Sequence, residues 1–340
     1  MSAQPKELSI ELGLDEPMDD AHLRARVAAE LGVSQDAVPG VTLRKRSIDA
    51  RRGSVKFVLQ LELGAADGGD LGAPHPREVG PPEVAIVGTG PAGLFCAYEL
   101  ARHGIGSVLL ERGKPVQPRR HDLKGLNRLG VVDSDSNYCF GEGGAGTYSD
   151  GKLYTRAHKR GSVRDVIEVL ARHGAPENIL VDARPHIGSN RLPQVVASMR
   201  DELTAAGVRF EFGARVTGLK VSGRSERQVK ALTLADGRHI EARYVVLATG
   251  HSASDVFQFL LEAGVQLEAK AFAMGVRIEH PQALINGIQY GSFARHPSLP
   301  AAPYRVAETV NERGVFSFCM CPGGFIVPAS TEPDGLVVNG

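Results

Sequence analysis

The sequence predicts an α/β fold built around a parallel β-sheet, and three observations carry that prediction. The apolar strand EVAIVG runs into a glycine-rich turn, then a helix, then a second strand, SVLLER, all within residues 83–112. That is the order of a βαβ unit. Two further helical patterns, at about 162–173 and 194–206, are each closed by a glycine, Gly174 or Gly207, in the C′ place. Five strand candidates then follow in close succession: VRFEFG, ARVTGLKV, QVKALTLADG, RHIEA and YVVLATG, with Asp236-Gly237 as a hairpin signal.

Taken in order, LSIELGL reads as a strand and DDAHLRARVAAELGV as a helix capped by Asp19 or Asp20. Leu23, Val27 and Leu31 share one helix face. SVKFVLQLEL alternates apolar and polar residues as a half-buried strand does. Residues 1–63 therefore form a small βαβ or βαββ unit. Within it TLRKRSIDARRG gathers Arg44, Lys45, Arg46, Arg51 and Arg52, read as a solvated loop, with a phosphate or RNA contact as the alternative. Residues 64–82 carry nine Gly or Pro in nineteen positions and read as a linker. Residues 83–265 form the nucleotide-binding domain and 266–340 part of a second, substrate domain.

The 340 residues allow about two domains, with room for a small third. Basic and acidic residues balance at 39 each, which gives no support to a nucleic-acid or membrane-surface role. The N-terminus is acidic and lacks an apolar signal core. No apolar run approaches the length of a membrane helix. Four cysteines make no disulfide framework, and Cys319 and Cys321 have no partner spacing for zinc. The expectation is a cytoplasmic protein without a metal.

VAIVGTGPAGLF places Gly88, Gly90 and Gly93 in the spacing GxGxxG between a strand and a helix. Gly88 permits the tight turn, Gly90 lets the backbone approach a pyrophosphate, and Gly93 lets the helix pack on the strand. Pro91 and Ala92 open the helix, whose N-terminus faces the phosphates. Glu111 ends the next strand as the ribose acceptor; an acid there argues against a 2′-phosphate, which Arg112 beside it weakens only slightly. This reads as an adenine dinucleotide site, with FAD and NAD both open.

A second glycine loop, GEGGAGTYSDGKL, follows at residues 141–153. Together with the strand meander and the returning YVVLATGH, it resembles the glutathione-reductase-like FAD domain. That resemblance implies a Rossmann domain with a β-meander crossover and an extended FAD held by two cradles. Gly141, Gly143, Gly144, Ala145, Gly146, Ser149, Asp150, Gly151, Lys152 and Leu153 would serve the flavin end, and Val216, Ala248, Thr249 and Gly250 complete the cofactor set. RKRSIDAR, CFGEGGAGTYSDGKL, ATGHSASD, FAMGVRIEHPQ and FSFCMCPGG narrow the likeness to a bacterial family of uncharacterised FAD-dependent dehydrogenases. The resemblance covers residue 42 onward, with HSASD where that family more often has HSARD. The closing strand and helix of such domains are not found after residue 251, so a truncated copy of a longer protein is expected.

The resemblance implies an FAD-dependent oxidoreductase passing a hydride between FAD and an unidentified small substrate or NAD(P)H. The alternative is a flavin-binding RNA-modification or RNA-associated module. No second GxGxxG frame appears, so any NAD(P)H donor docks transiently. Lys152 stands either at the flavin or in a pair with Asp150 or a phosphate oxygen. In FSFCMCPGG, read as a strand, Cys319 and Cys321 share a face as buried cysteines, with a redox dithiol as the alternative. Cys139 precedes the second loop and is a candidate to approach the flavin ring. His251 is either an acid–base group or the neighbour of a Ser252 cap.

Overall fold

The computed structural model describes residues 6–64, 75–149, 151–153, 155, 161–223, 227–272, 275–317 and 320–339. Its first unit contains β1 (Glu7–Leu12), α1 (Asp20–Leu31), β2 (Val41–Asp49) and β3 (Lys56–Leu63). The strands form an antiparallel sheet in the order β1-β3-β2. Alternation sets β3: Phe57, Leu59, Leu61 and Leu63 are buried while Gln60 is exposed. Asp19 caps α1, accepting from the His22 backbone N–H at 2.8 Å.

The basic stretch expected as a loop is instead strand β2 as far as Asp49. Its burial does not alternate, so no period of two is visible in the sequence. Three of its arginines are engaged within the chain. Arg44 pairs with Glu62 on β3, Arg46 with Asp182 at 2.7 Å, and Arg51 with Asp49 at 2.7 Å.

The central sheet is built from β4 (Val84–Val87), α2 (Pro91–Arg102), β5 (Ser107–Glu111), α3 (Val116–Leu129), α4 (Val163–Arg172), α5 (Leu192–Ala205) and β6 (Arg209–Phe212). An antiparallel meander then intervenes: β7 (Val216–Ser222), β8 (Gln228–Leu234) and β9 (His239–Glu241). β10 (Tyr244–Leu247) returns beside β4, giving the parallel order β10-β4-β5-β6. This is the α/β architecture with a meander crossover that the sequence predicts. Every residue of β4 and β5 is buried, as befits inner strands covered on both faces. Leu94, Tyr98, Val195, Met199 and Leu203 cover one face from α2 and α5. The other face packs on Val216, Leu232 and Leu234 of the meander and on Val256 and Phe259 of α6 (Ser254–Glu262).

Part of the Gly/Pro-rich stretch is docked on this domain. Arg77 N–H donates to Ala101 O at 3.0 Å and Val79 N–H to Ala206 O at 2.8 Å; residues 65–74 lie outside the described residues.

The C-terminal region contains α7 (Gln282–Tyr290), the hairpin β11 (Ala307–Val310) and β12 (Arg313–Phe316), and the short pair β13 (Val327–Pro328) and β14 (Val338–Asn339). FSFCMCPGG is not a continuous strand: β12 ends at Phe316, Cys319 lies outside the described residues, and Cys321 opens a turn. α7 does not pack on the central sheet. Its Ile285 and Tyr290, with Ala302, enter the core formed by Leu23, Val27, Leu59 and Leu61 of the first unit. Arg46 ties the same unit to the central domain. Its N–H donates to Val181 O at 2.7 Å and its carbonyl accepts from Ala183 N–H at 2.9 Å.

Ile285→Ala is expected to cost about 2–4 kcal/mol, the usual loss for a truncated buried aliphatic. The loss is read as a lower urea midpoint together with faster amide exchange in β3. Unchanged exchange in β3 would mean that the first unit is stable without α7.

Candidate functional site

A cleft of about 530 Å³ opens at the carboxyl ends of β4, β5 and β10, where open α/β sheets bind ligands. It gathers most of the residues expected at a cofactor. Gly88, Gly90, Pro91 and Ala92 line it from the first turn, and Gly141, Gly144, Ala145 and Gly146 from the second loop. Glu111, Arg112, Cys139, Val216, Ala248, Thr249, Gly250 and His251 also line it.

The first turn is set by steric necessity. Gly88 adopts φ 104°, and a Cβ on Gly93 would fall 2.0 Å from the Gly88 carbonyl oxygen. Only glycine lets α2 approach the strand so closely. Gly93 is therefore a packing residue beneath the cleft. Gly90 is the N-cap of α2, and no side chain caps that end. Such a terminus carries backbone N–H groups without intrahelical partners.

Glu111 joins the two loops. Its Oε2 accepts from Thr89 N–H at 2.9 Å and Thr89 Oγ1 at 2.7 Å. Its Oε1 accepts from Gly113 N–H at 2.9 Å and Gly141 N–H at 3.0 Å. A carboxylate has about four acceptor positions, and all are engaged here. A ribose hydroxyl at Glu111 would share a lone pair with one of these donors. The loops also touch directly: Gly143 N–H donates to Thr89 O at 2.9 Å, and a Cβ on Gly144 would lie 3.0 Å from Gly90 Cα.

The second loop is held from beneath by Arg119 of α3, which is fully buried. Its guanidinium donates to Asn137 O at 2.8 Å, Glu142 O at 2.7 Å, Tyr138 O at 2.9 Å, Gly144 O at 2.9 Å and, at 3.4 Å, Thr147 Oγ1. Five N–H donors meet five acceptors in one loop. Glu142 secures the same loop to its neighbours, accepting from Val116 N–H at 2.8 Å and from Arg200 at 2.9 Å. Burial pushes the Glu142 carboxyl above its ordinary range, against the pull of Val116 N–H and Arg200.

At the β5 end, Arg112 pairs with Asp135 at 2.8 Å and Asp255 at 3.1 Å, its guanidinium 4.3 Å above the Phe140 ring. Arg215 also lines the cleft, and its buried Nε has no hydrogen-bond partner among the described residues. Its guanidinium also pairs with Asp135 at 3.5 Å. Cys139 Sγ receives the Ser252 hydroxyl at 3.5 Å. Ser252 is thus not the cap of α6: Ala253 holds that position, with no side-chain cap bond. His251 is exposed on the cleft wall.

The far part of the second loop leaves the cleft. Ser149 Oγ donates to Gly146 O at 2.7 Å and accepts from Gly151 N–H at 3.2 Å. Leu153 N–H donates to Pro185 O at 3.1 Å. Lys152 Nζ reaches Cys321 Sγ at 2.8 Å. Asp150 and Cys319 lie outside the described residues. The sequence reading passed over Arg119, Glu142, Arg200, Arg215, Phe140 and Asp255. For Arg215 its place beside Val216 at the meander's start was a usable signal; for the buried ion groups there was none.

Residues 82–123 match an FAD binding domain, 164–275 a pyridine nucleotide-disulphide oxidoreductase domain, and 271–340 an FAD-dependent protein C-terminal domain-like region. Residues 4–64 match a domain of unknown function. An uncharacterized protein of Clostridium beijerinckii is 37% identical over 354 residues, covering 98% of this chain. The chain spans 65% of that relative's length. Among solved structures, THI4 of Thermovibrio ammonificans is similar at 20% identity and TM-score 0.37, covering 57% of this chain and 65% of that one. A GidA-related protein from Thermus thermophilus is similar at 19% identity and TM-score 0.29, covering 50% and 54%. Scores of this size carry no functional argument.

Arg119→Met should lower stability by about 3–5 kcal/mol, because it leaves a set of buried carbonyls without donors. Denaturant melts measure the loss, and limited proteolysis should locate new cleavage within residues 137–147. An intact loop with an unshifted midpoint would show that Arg119 does not hold it.

Proposed function

We propose, for a chain that carries FAD-dependent oxidoreductase family domains, that the cleft binds FAD and that the protein is a flavin-dependent oxidoreductase acting on a small molecule. One observation carries the reading: two glycine loops meet along a single wall of bare backbone, beside a helix terminus that no side chain caps. A one-loop nucleotide site would leave the second loop and its buried clamp unexplained. The residues fit the group. Gly90, Ala92 and the start of α2 would hold the pyrophosphate. Arg112, Arg215 and Val216 would bound the adenosine end, and Gly144, Ala145 and Gly146 would support the flavin half.

FAD, when bound, supplies two-electron transfer with a substrate or with NAD(P)H. The chain's own work is to position it and to exclude water. Arg119 and Glu142 fix the second loop from behind, so the supporting wall is rigid before any ligand arrives. His251, exposed on the wall, is the group suited to hold or move a proton. NAD(P)H as the donor, and a small substrate without nucleic acid, are parts of the same proposal.

The purified chain should show a flavin absorption spectrum, with FAD in the supernatant after heat release and anaerobic bleaching by NADH or NADPH. Bound FAD that no donor reduces would leave a flavin protein without the proposed activity. A chain that stays colourless after reconstitution, also when extended to its relative's length, would remove FAD. Gly90→Ala separates ligand from fold. A Cβ there meets only Gly144 Cα, at 3.7 Å, and so fits the empty structure. The variant should keep its melting temperature while losing about tenfold or more in FAD affinity, roughly 1.4 kcal/mol.

A further inference from the structure

One reactive pair has no part in the cleft. Lys152 Nζ lies 2.8 Å from Cys321 Sγ, across 169 residues of chain, and both side chains are half-buried. Each partner is fixed by its own frame. Lys152 stands in a β-bridge with His186, flanked by Ile187 N–H donating to Gly151 O at 3.3 Å. Cys321 opens a turn closed by Gly324 N–H donating to Cys321 O at 3.0 Å. A Cβ on Gly324 would sit 2.8 Å from Cys321 Cβ, so the turn requires glycine. Gly323 N–H donates to Gln282 of α7 at 2.8 Å, and α7 is itself anchored in the core of the first unit. The two side chains are therefore held together without a ligand between them.

An ammonium group beside a sulfur favours the thiolate, which is the form that peroxides oxidise. We propose that Cys321 and Lys152 form a peroxide-reactive thiol–amine site that closes a covalent sulfur–nitrogen bond. The thiolate attacks one oxygen of hydrogen peroxide and the O–O bond breaks. Sulfur becomes a sulfenic acid, and the departing hydroxide takes a proton from the Lys152 ammonium and leaves as water. The ammonium is thereby turned into a free amine beside an electrophilic sulfur. That amine attacks the sulfur, the S–O bond breaks, and a second water leaves. Sulfur is oxidised by two electrons, the peroxide is reduced, and the pair is joined as a sulfenamide. A sulfenamide is returned to thiol and amine by added thiol. The site needs no bound FAD, so this proposal and the flavin reading stand or fall separately.

The test treats the whole chain with hydrogen peroxide and maps its peptides by mass spectrometry. A Lys152–Cys321 cross-link, reversed by dithiothreitol, is expected. Cys96, whose thiol is pushed up by burial, should remain reduced. Lys152→Met should form no cross-link and should slow Cys321 oxidation about tenfold, because the thiolate is the nucleophile and loses its cationic neighbour. Lys152→Arg keeps the charge, so Cys321 should oxidise at close to the original rate and stop at a sulfenic acid that dimedone traps. Matching thermal melts would show that both variants fold. A Cys321 that stays reduced while Cys139 oxidises, a disulfide to Cys319 in place of the cross-link, or a Lys152→Met variant with unaltered kinetics would each overturn the proposal.

Discussion

A single buried carboxylate organises the cleft. Glu111 ends an inner strand of the parallel sheet, and its two oxygens gather donors from Thr89, Gly113 and Gly141. Burying a charge is costly unless it is compensated, and here four donors supply the compensation. Because the donors come from two separate loops, neutralising the charge and assembling the site are the same event. Arg119 repeats the device with opposite sign, as a buried guanidinium whose five donors all meet one loop. The two glycine loops of the cleft wall are thus fixed by ionic groups behind them, and between the lining side chains they present bare backbone.

That arrangement explains what the residues disclosed in advance. GxGxxG between a strand and a helix is a local signal, since each glycine answers a steric demand made by neighbours within a few residues. The meander and the returning strand were equally legible, because period-two apolar patterns and Asp236-Gly237 are local too. The second loop was recognisable as glycine-rich, but not the reason for it. Its support comes from Arg119, in a helix that the sequence reading did not identify, and from Arg200, in one that it did. An arginine that is buried by tertiary packing looks in sequence like any exposed one. The same blindness applies to Ser252. A serine before a helix suggests a cap, yet its hydroxyl turns to Cys139.

The basic run near the N-terminus shows the reverse error. Arg44, Lys45 and Arg46 suggested a free cationic loop, but they belong to a strand, and Arg44 and Arg46 find acidic partners on β3 and in the central domain. Charge clustered in sequence need not be charge available in space. Glu62 lies on the neighbouring strand and Asp182 in the central domain, so only the assembled structure reveals the pairing.

The core that joins the first unit to α7 also constrains the order in which the molecule can be made. Leu23, Val27 and Leu59 emerge early in synthesis, whereas Ile285, Tyr290 and Ala302 emerge more than two hundred residues later. During that interval the three-stranded sheet exists with one side of its apolar core uncovered. Such a contact joins residues far apart in sequence, and non-local contacts slow folding. An exposed apolar surface on a nascent chain is what chaperones bind and what aggregation recruits. The central domain has its own parallel sheet, and in the folded chain Arg46 joins the first unit to it at Val181 and Ala183, apart from the contact with α7.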